Sequence, residues 1–246
     1  MSKIALVTGA SVGIGASTAR ALDELGYSLV LMARRREKLV SLAKELSGEP
    51  KIIECDVTDK QQVLDAIKEV PVVDVLVNNA GLALGLESAD QSNWEHWETM
   101  IQTNCTALAF VTRQILPGMV ERNQGHIINM GSIAGTYAYK GGNVYGGTKA
   151  FVEQFSMGLR SDLLGTAVKV TNLEPGLISG TEFSNIRFEG DDSKVAATYE
   201  NCQAMTAEDI ANTISWIVQQ PPHLNINRIE MMPVCQAPAG LAVSKS

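Results

Sequence analysis

Short apolar runs alternate with stretches of helical periodicity along the chain. The apolar runs cover residues 3–7, 28–32, 51–54, 73–77, 126–130, 169–173 and 228–232, and helical patterns cover 13–25, 37–46, 60–67, 94–119 and 145–164. Strands that are almost continuously apolar are typical of a sheet with both faces covered. The pattern therefore predicts an α/β fold, a doubly wound parallel sheet of about seven strands with helices on both faces.

The last part of the chain adds one helix and one irregular segment. Thr206 and Asp209 have the spacing of a capping box, which predicts a helix that runs to about Gln219. No linker, repeat or low-complexity tract divides the sequence, so we expect a single domain over residues 1–246. The longest irregular segment covers about 176–205, and because long loops in compact domains are usually functional, we expect a substrate-binding loop there.

Composition excludes several classes of protein. The formal net charge of −7 argues against nucleic-acid binding, which needs clustered basic residues. No apolar run approaches the ~18 to 20 residues that span a bilayer, and the N-terminus lacks an apolar leader. We therefore expect a cytoplasmic protein with no membrane partner. Four widely separated cysteines predict reduced thiols, and three scattered histidines predict no metal site; these are Cys55, Cys105, Cys202 and Cys235, and His96, His126 and His223.

A glycine-rich loop follows the first predicted strand and opens the first predicted helix. Glycines there permit a tight turn and let a pyrophosphate approach the backbone, and the helix N-terminus offers free N–H groups. The spacing is G-x-x-x-G-x-G, a weak pattern by itself, but its position predicts a Rossmann-like nucleotide site. The loop residues are Gly9, Ala10, Ser11, Val12, Gly13, Ile14 and Gly15. The alternative is a plain helix start whose glycines only allow close packing.

Arginines follow the second predicted strand, where an acidic residue would accept the ribose 2′-hydroxyl of NAD. Arg34 and Arg35 stand there instead, and no acid precedes Glu37. Because arginine pairs bidentately with phosphate, we infer a 2′-phosphate and therefore NADP(H). The alternative is a solvated basic helix start.

Ser132, Tyr145 and Lys149 form the candidate catalytic set. Residues four apart share one face of a helix, so Lys149 places a cation beside the Tyr145 phenol. Lowering a tyrosine pKa from about 10 by roughly three units requires about 4 kcal/mol, which a partly buried cation can supply. We therefore predict that Lys149 turns Tyr145 into a general acid/base for alcohol chemistry. Gly146 and Gly147 lie between the two and predict a close approach of substrate or cofactor.

The whole chain resembles the short-chain dehydrogenase/reductase family. The loop from Thr8 to Gly15 matches the family's T-G-x-x-x-G-x-G pattern, and residues 78–81 match its N-N-A-G. Asn104 joins Ser132, Tyr145 and Lys149 to complete its four-residue catalytic set, and residues 175–176 match its P-G. The order and spacing of all four features agree with the family.

The resemblance implies roles for these residues. Tyr145 would exchange a proton with the substrate oxygen, Lys149 would also bind the nicotinamide ribose, and Ser132 would hold the substrate oxygen. Asn104 would hold a water that links Lys149 to solvent. For the cofactor, Asp56 and Val57 would flank the adenine, Asn79 would lie near its ribose, and residues 175–183 would wrap the nicotinamide and phosphates through Pro175, Gly176, Leu177, Ile178, Thr181 and Phe183.

Several stretches resemble the NADP-dependent 3-hydroxy acid dehydrogenases of that family, which include serine and L-allo-threonine dehydrogenases and semialdehyde reductases. They are residues 81–85, 116–123, 142–145, 174–177 and 180–188. A 3-hydroxy acid carries a carboxylate, which needs a local cation in an acidic protein. Arg187 in the expected loop is the candidate, with Lys140 next; we expect Glu182 to face solvent or a helix end.

Three readings of function stay open on the sequence. The first is an NADP-dependent dehydrogenase of small 3-hydroxy acids such as serine, L-allo-threonine or 3-hydroxyisobutyrate. The second is a broad NADPH-dependent carbonyl reductase, and the third is a regulatory protein that senses NADPH without turnover. Since members of the family are commonly tetramers that pack two long helices against a neighbour, we expect a homotetramer built on residues 94–119 and 151–164.

Overall fold

A computed structural model describes residues 2–70 and 72–238 of the 246. Within these residues one parallel sheet has the strand order β3-β2-β1-β4-β5-β6-β7. The strands are β1 (Ile4–Thr8), β2 (Ser28–Ala33), β3 (Lys51–Glu54), β4 (Val75–Asn78), β5 (Gly125–Met130), β6 (Val168–Pro175) and β7 (Arg228–Met231). The predicted doubly wound, seven-stranded sheet is confirmed.

Helices connect the strands and cover both faces. They are α1 (Gly13–Glu24), α2 (Arg36–Ala43), α3 (Lys60–Lys68), α4 (Trp94–Ile101), α5 (Leu108–Glu121), α6 (Asn143–Asp162), α7 (Phe183–Arg187), α8 (Asp192–Tyr199) and α9 (Ala207–Val218). A 3₁₀ turn occupies Ile133–Gly135. Thr206 and Asp209 form the predicted capping box at the start of α9.

The sheet has a buried core on each side because successive side chains of a strand point to opposite faces. Val7 of β1 packs in one core with Leu22 of α1 and Ile210 of α9. Leu6, one residue earlier, packs in the other core with Met119 of α5 and Ile127 of β5. This burial on both faces explains the nearly continuous apolar strands.

The chain leaves β1 toward β3 on one side and continues from β4 toward β7 on the other. The strand order therefore reverses between β1 and β4, and the carboxyl ends of these strands open a crevice. Ligands of doubly wound sheets bind at such a point. The glycine loop after β1 lies there.

One prediction about local structure is wrong. Residues 176–205 are not one irregular segment, because α7 and α8 fold within it. The helical run predicted over 94–119 is present without a break, and it includes a π-helical stretch at Gln102–Ala107 between α4 and α5 that the sequence did not predict. Neither short helices in a loop nor a single π turn changes the apolar periodicity enough to be visible in the sequence.

The prediction of four reduced thiols is also wrong. Cys202 and Cys235 are joined by a disulfide across 33 residues, while Cys55 and Cys105 are free. Wide separation in the sequence gave no sign of the pairing, because two distant segments meet only in the fold.

Over the part of the chain that the structure describes, no helix has the length and apolarity needed to cross a membrane. Over the same residues, no three His, Cys, Asp or Glu side chains group as metal ligands.

Candidate active site

The glycine loop turns sharply from β1 into α1. Gly9 and Gly13 have φ angles of 64° and 55°, in the left-handed region that favours glycine. A Cβ on Gly15 would overlap the carbonyl oxygen of Gly9, so the loop can close only without a side chain there. Val12 caps α1 without a side-chain hydrogen bond. The loop therefore presents exposed backbone to the crevice, as a cradle for phosphate requires.

Asn79, directly after β4, holds the loop in place. Its Nδ2 donates to the carbonyl oxygens of Thr8 and Gly9 at 3.0 and 3.1 Å. The Thr8 hydroxyl in turn accepts from the backbone N–H groups of Asn79 and Ala80 at 3.0 and 3.1 Å. Asn79 thus fixes the glycine loop across the β1–β4 crevice. Its expected position near the adenine ribose stays a prediction.

Ser132 follows β5 and caps the 3₁₀ turn by accepting from the Ala134 N–H at 3.2 Å. This turn packs closely on α6. A Cβ on Gly135 would lie 2.8 Å from the Ala150 nitrogen, and one on Gly146 would lie 2.8 Å from the Ala134 oxygen. The two glycines therefore let the Ser132 turn approach the helix that carries Tyr145.

The prediction that Gly146 and Gly147 admit substrate or cofactor is thus wrong. Gly146 faces the Ala134 carbonyl, and Gly147 is exposed with nothing nearby. Gly146 is a packing glycine whose effect is to hold the candidate catalytic groups together.

Tyr145 and Lys149 are both buried on α6, at 8% exposure each. The Lys149 Nζ lies 5.8 Å from the centre of the Tyr145 ring and donates to the Met130 carbonyl oxygen at 2.7 Å. Met130 is the last residue of β5, so this bond anchors Lys149 at the carboxyl edge of the sheet. The predicted pairing of a cation with a phenol on one helix face is present.

Asn104 lies in the π-helical stretch and is 1% exposed. Its Nδ2 donates to the Leu82 carbonyl at 2.8 Å and to the Thr148 hydroxyl at 3.0 Å, while its Oδ1 accepts from the Leu82 N–H at 2.9 Å. A Cβ on Gly81 would lie 3.1 Å from Asn104 Oδ1 and 3.6 Å from Lys149 Nζ. The glycine therefore leaves a small space that faces both groups.

A cavity of about 550 Å³ joins the glycine loop to the catalytic set. Most of the predicted site residues line it: Gly9, Val12, Gly13, Ile14, Asn79, Ser132, Tyr145, Lys149, Pro175, Gly176, Leu177, Ile178, Thr181, Phe183 and Arg187. Lys140 lines it too. Eight predicted residues lie outside its walls: Ala10, Ser11, Gly15, Arg34, Arg35, Asp56, Val57 and Asn104.

Comparison with known proteins decides the family. The short chain dehydrogenase family model matches residues 3–192. This chain is a short-chain dehydrogenase. It is 53% identical over 247 residues to the NADP-dependent 3-hydroxy acid dehydrogenase YdfG of Salmonella typhi, covering 99% of this chain and 100% of the relative. It is 45% identical to the serine 3-dehydrogenase of Rhizobium radiobacter, covering 99% and 98%.

A solved serine dehydrogenase, described as a closed form in complex with NADP⁺, is similar over the whole length. It superposes with a TM-score of 0.96 at 51% identity, covering 99% of this chain and 100% of the other. The predicted family is confirmed, as is the predicted Rossmann-like single sheet.

Burial dominates the electrostatics at the catalytic tyrosine position of this short-chain dehydrogenase. It raises the pKa of Tyr145 to about 12, although a hydrogen bond with Ser132 and the charge of Arg187 act to lower it. Burial also lowers the pKa of Lys149 to about 8. Desolvation of the phenolate therefore opposes the lowering of the Tyr145 pKa that the sequence predicts, and this lowering by Lys149 stays a prediction.

Arg187, at the end of α7, lies against the same phenol. Its guanidinium carbon is 5.6 Å from the Tyr145 ring centre and 5.4 Å from the Tyr139 ring centre. Nη2 donates to the Tyr139 hydroxyl at 2.7 Å, and Nε donates to the Gly85 carbonyl at 3.3 Å. The sequence did not predict a role for Tyr139, because a tyrosine near a turn gives no sign of a partner 48 residues away.

Arg35 pairs with a residue of the other end of α7. Its Nη2 lies 2.8 Å from Glu182 Oε2 and donates to the Ser11 hydroxyl of the glycine loop at 3.3 Å. Glu182 does lie at a helix end, as expected, because it precedes α7. Its ion pair with a predicted phosphate-binding arginine was missed. Thr181 lies over the glycine loop, 3.4 Å from a Cβ built on Gly13.

The structure adds two further residues at the cavity rim. Gln236, after β7, accepts from the Leu177 N–H at 2.8 Å. The Tyr199 hydroxyl, at the end of α8, donates to the Ile178 carbonyl at 2.8 Å and lies 2.6 Å from the Ser184 hydroxyl. Both support the segment expected to wrap the nicotinamide, and no local motif marks either.

Asp56 and Val57 follow β3, the edge strand on the β1 side of the sheet. Asp56 accepts from the Thr58 N–H and hydroxyl at 2.9 and 2.7 Å, and Val57 packs partly buried against the core. Their expected contact with adenine stays a prediction.

Proposed function

We propose that this short-chain dehydrogenase is an NADP-dependent oxidoreductase that transfers a hydride between nicotinamide and the hydroxyl-bearing carbon of small 3-hydroxy acids. The observation that carries the proposal is the position of Arg187. The Arg187 guanidinium lies over the buried Tyr145 ring, in the cavity that Ser132 and Lys149 also line. The protein as a whole has a net charge of −7, so a carboxylate needs such a local cation. A carboxylate two bonds from the reacting carbon, as in a 3-hydroxy acid, matches that arrangement.

The residues around the glycine loop fit NADP(H). The loop offers uncapped N–H groups and the close approach that a pyrophosphate needs, and Arg34 and Arg35 would hold the 2′-phosphate. Of the similar proteins described above, the 3-hydroxy acid dehydrogenase is named as NADP-dependent, and the solved serine dehydrogenase is in complex with NADP⁺. Bound NADP⁺ would accept the hydride, and the protein would position the substrate beside it and supply the charged groups around the reacting atoms.

Tyr145 is the acid/base of the proposed reaction. In the oxidative direction its phenolate takes the proton from the substrate hydroxyl, while the Ser132 hydroxyl donates a hydrogen bond to the same oxygen. Lys149 and Arg187 stabilise the phenolate against the cost of burial. Asn104 and Lys149 both face the space beside Gly81, where a water would connect the lysine to solvent.

A substrate panel tests the proposal. Initial rates at 340 nm are measured with NADP⁺ or NAD⁺ and with L-serine, L-allo-threonine, 3-hydroxyisobutyrate and 2-butanol. We expect NADP⁺ and the three carboxylates to be preferred. Equal turnover of 2-butanol and the carboxylates would favour a broad carbonyl reductase, and binding of NADPH without any turnover would favour a sensor.

We also propose a homotetramer in the cytoplasm. Large apolar side chains are exposed on the helices expected at the interface, with Trp94 at 63%, Phe151 at 40% and Met157 at 48%. Light scattering coupled to gel filtration tests the assembly, and Phe151→Glu should release smaller species. Cell fractionation tests the location.

A further inference from the structure

The disulfide joins two segments that border the same cavity. Cys202 follows α8 in the 176–205 segment, and Cys235 follows β7. Their Cα atoms are 5.8 Å apart, within the range for a bridge. Cys235 is exposed and Cys202 is partly exposed, so a thiol reagent can reach the pair.

On the C-terminal side, the bridge lies one residue from Gln236. The Gln236 side chain accepts from the Leu177 N–H, and a Cβ on Gly176 would overlap its Oε1. Gln236, Ala237 and Pro238 all line the cavity. Residues 236–238 therefore form part of the cavity wall, and the disulfide at Cys235 holds the chain directly before them.

On the other side, the bridge lies among residues that hold the same wall. The Met205 N–H donates to the Leu177 carbonyl at 3.1 Å, and the Ser179 N–H donates to the Met205 carbonyl at 2.9 Å. The Tyr199 hydroxyl donates to the Ile178 carbonyl. Leu177 is thus held from both of the segments that the disulfide ties together, and Ile178 is held from the 176–205 segment.

We propose that Cys202 and Cys235 form a reversible thiol–disulfide site that controls how firmly this cavity wall is held, with the oxidised form binding NADP(H) more tightly. The proposal rests on the proposed function only in that NADP(H) occupies the cavity. Its physical basis is preorganisation, because a wall held covalently loses less conformational freedom when the ligand binds. Exposed disulfides are also the labile ones.

The exchange partner is a dithiol, small or protein-borne. Its thiolate attacks one sulfur of the bridge, which breaks the Cys202–Cys235 bond and forms a mixed disulfide. The second thiol of the partner then displaces the remaining cysteine. Two electrons and two protons pass to the cysteine pair, and the dithiol leaves as a disulfide. The reverse exchange restores the bridge.

The other two cysteines make the site easy to isolate. Burial raises the pKa of the Cys55 and Cys105 thiols to about 11, so neither is a reactive thiolate at neutral pH. Native protein should therefore show two rapidly reacting thiols when the pair is reduced and none when it is oxidised.

The first measurement is the redox equilibrium of the full chain. Protein is equilibrated with dithiothreitol and its cyclic disulfide in varied ratios, quenched with acid, and its reactive thiols are counted in native buffer. We expect two thiols to appear together at one midpoint. Two reactive thiols that persist in oxidising buffer, or a bridge that only denaturant allows to be reduced, would overturn the proposal.

The second measurement is the affinity for NADPH, by fluorescence, in each redox state. We expect binding to weaken about fivefold on reduction, at the low end of coupling between linked sites. Cys202→Ser should bind as the reduced protein does under both conditions, and the control Cys55→Ala should follow the parent chain. Equal affinities in the two states would overturn this proposal alone, whereas no binding in either state would overturn the proposed function with it.

Linkage gives a third readout that a purely structural disulfide would not move. If the oxidised form binds NADPH fivefold more tightly, saturating NADPH must make the bridge fivefold harder to reduce. For a two-electron couple that is a shift of about 21 mV to lower potential. A midpoint that is independent of NADPH would refute the coupling.

Discussion

Arg187 is assigned two effects that a single substitution can separate. Replacing it by methionine removes the charge while keeping a long apolar side chain over the Tyr145 ring. A unit charge at 5.6 Å, the distance to that ring centre, contributes about 3 kcal/mol at an effective dielectric constant of about 20. At about 1.4 kcal/mol per unit, this corresponds to about two pKa units for Tyr145.

We expect Arg187→Met to move the acidic limb of the pH profile of kcat/KM upward by about one to two units, because less phenolate is available at any given pH. Losing a charge-assisted hydrogen bond to a carboxylate should also raise KM for L-serine about 10- to 100-fold, the equivalent of about 1.5–3 kcal/mol. For 2-butanol, which has no carboxylate, only the pH limb should move.

The assay is NADPH formation at 340 nm between about pH 6 and 11, with each alcohol at saturating NADP⁺. Lys194→Met is the matched control, since this exposed lysine lies in the same segment and pairs with Asp191. Lys140→Met tests the competing cation of the cavity wall. Equal losses for serine and 2-butanol with an unmoved limb would refute the argument, and a selective serine defect in Lys140→Met would transfer the carboxylate to that lysine.

Three further results are expected from other parts of the molecule. Arg35→Ala should weaken NADPH about 10- to 100-fold and leave NADH unchanged, whereas Glu182→Gln should tighten NADPH by removing the carboxylate that now occupies Arg35; titration of both cofactors checks this. Thr206→Ala should lose the capping box and about 1 kcal/mol of stability, seen as a melting temperature lower by about 2–4 °C with unchanged NADPH binding. Burial lowers the pKa of His126 to about 3, so the unfolded chain takes up this proton first as the pH falls. Its contribution to stability is complete above pH about 6.5 and is lost toward pH 3, by up to about 1.4 kcal/mol per pH unit. Urea unfolding across this range should therefore show a shallower loss for His126→Gln than for the parent chain.

The sequence predicted those features that depend on residues close together along the chain. Strand and helix periodicity predicted the sheet, and β3 has the predicted limits at Lys51–Glu54. The Thr206–Asp209 box was visible because both partners lie within one helical turn. The glycine loop and the Tyr145–Lys149 pair were likewise legible, since each is a short segment with a fixed spacing.

Contacts between distant segments were decided only by the packed fold. Arg187 reaches Tyr139 across 48 residues, Gln236 reaches Leu177 across 59, and Cys202 meets Cys235 across 33. The raised pKa of Tyr145 also depends on contacts between distant segments, because it results from burial under side chains of other elements. The sequence shows only the nearby lysine. Local spacing in the sequence therefore predicted the candidate catalytic residues and the glycine loop. The charges near Tyr145 and the disulfide beside the cavity depend instead on which surfaces the sheet and helices bring together.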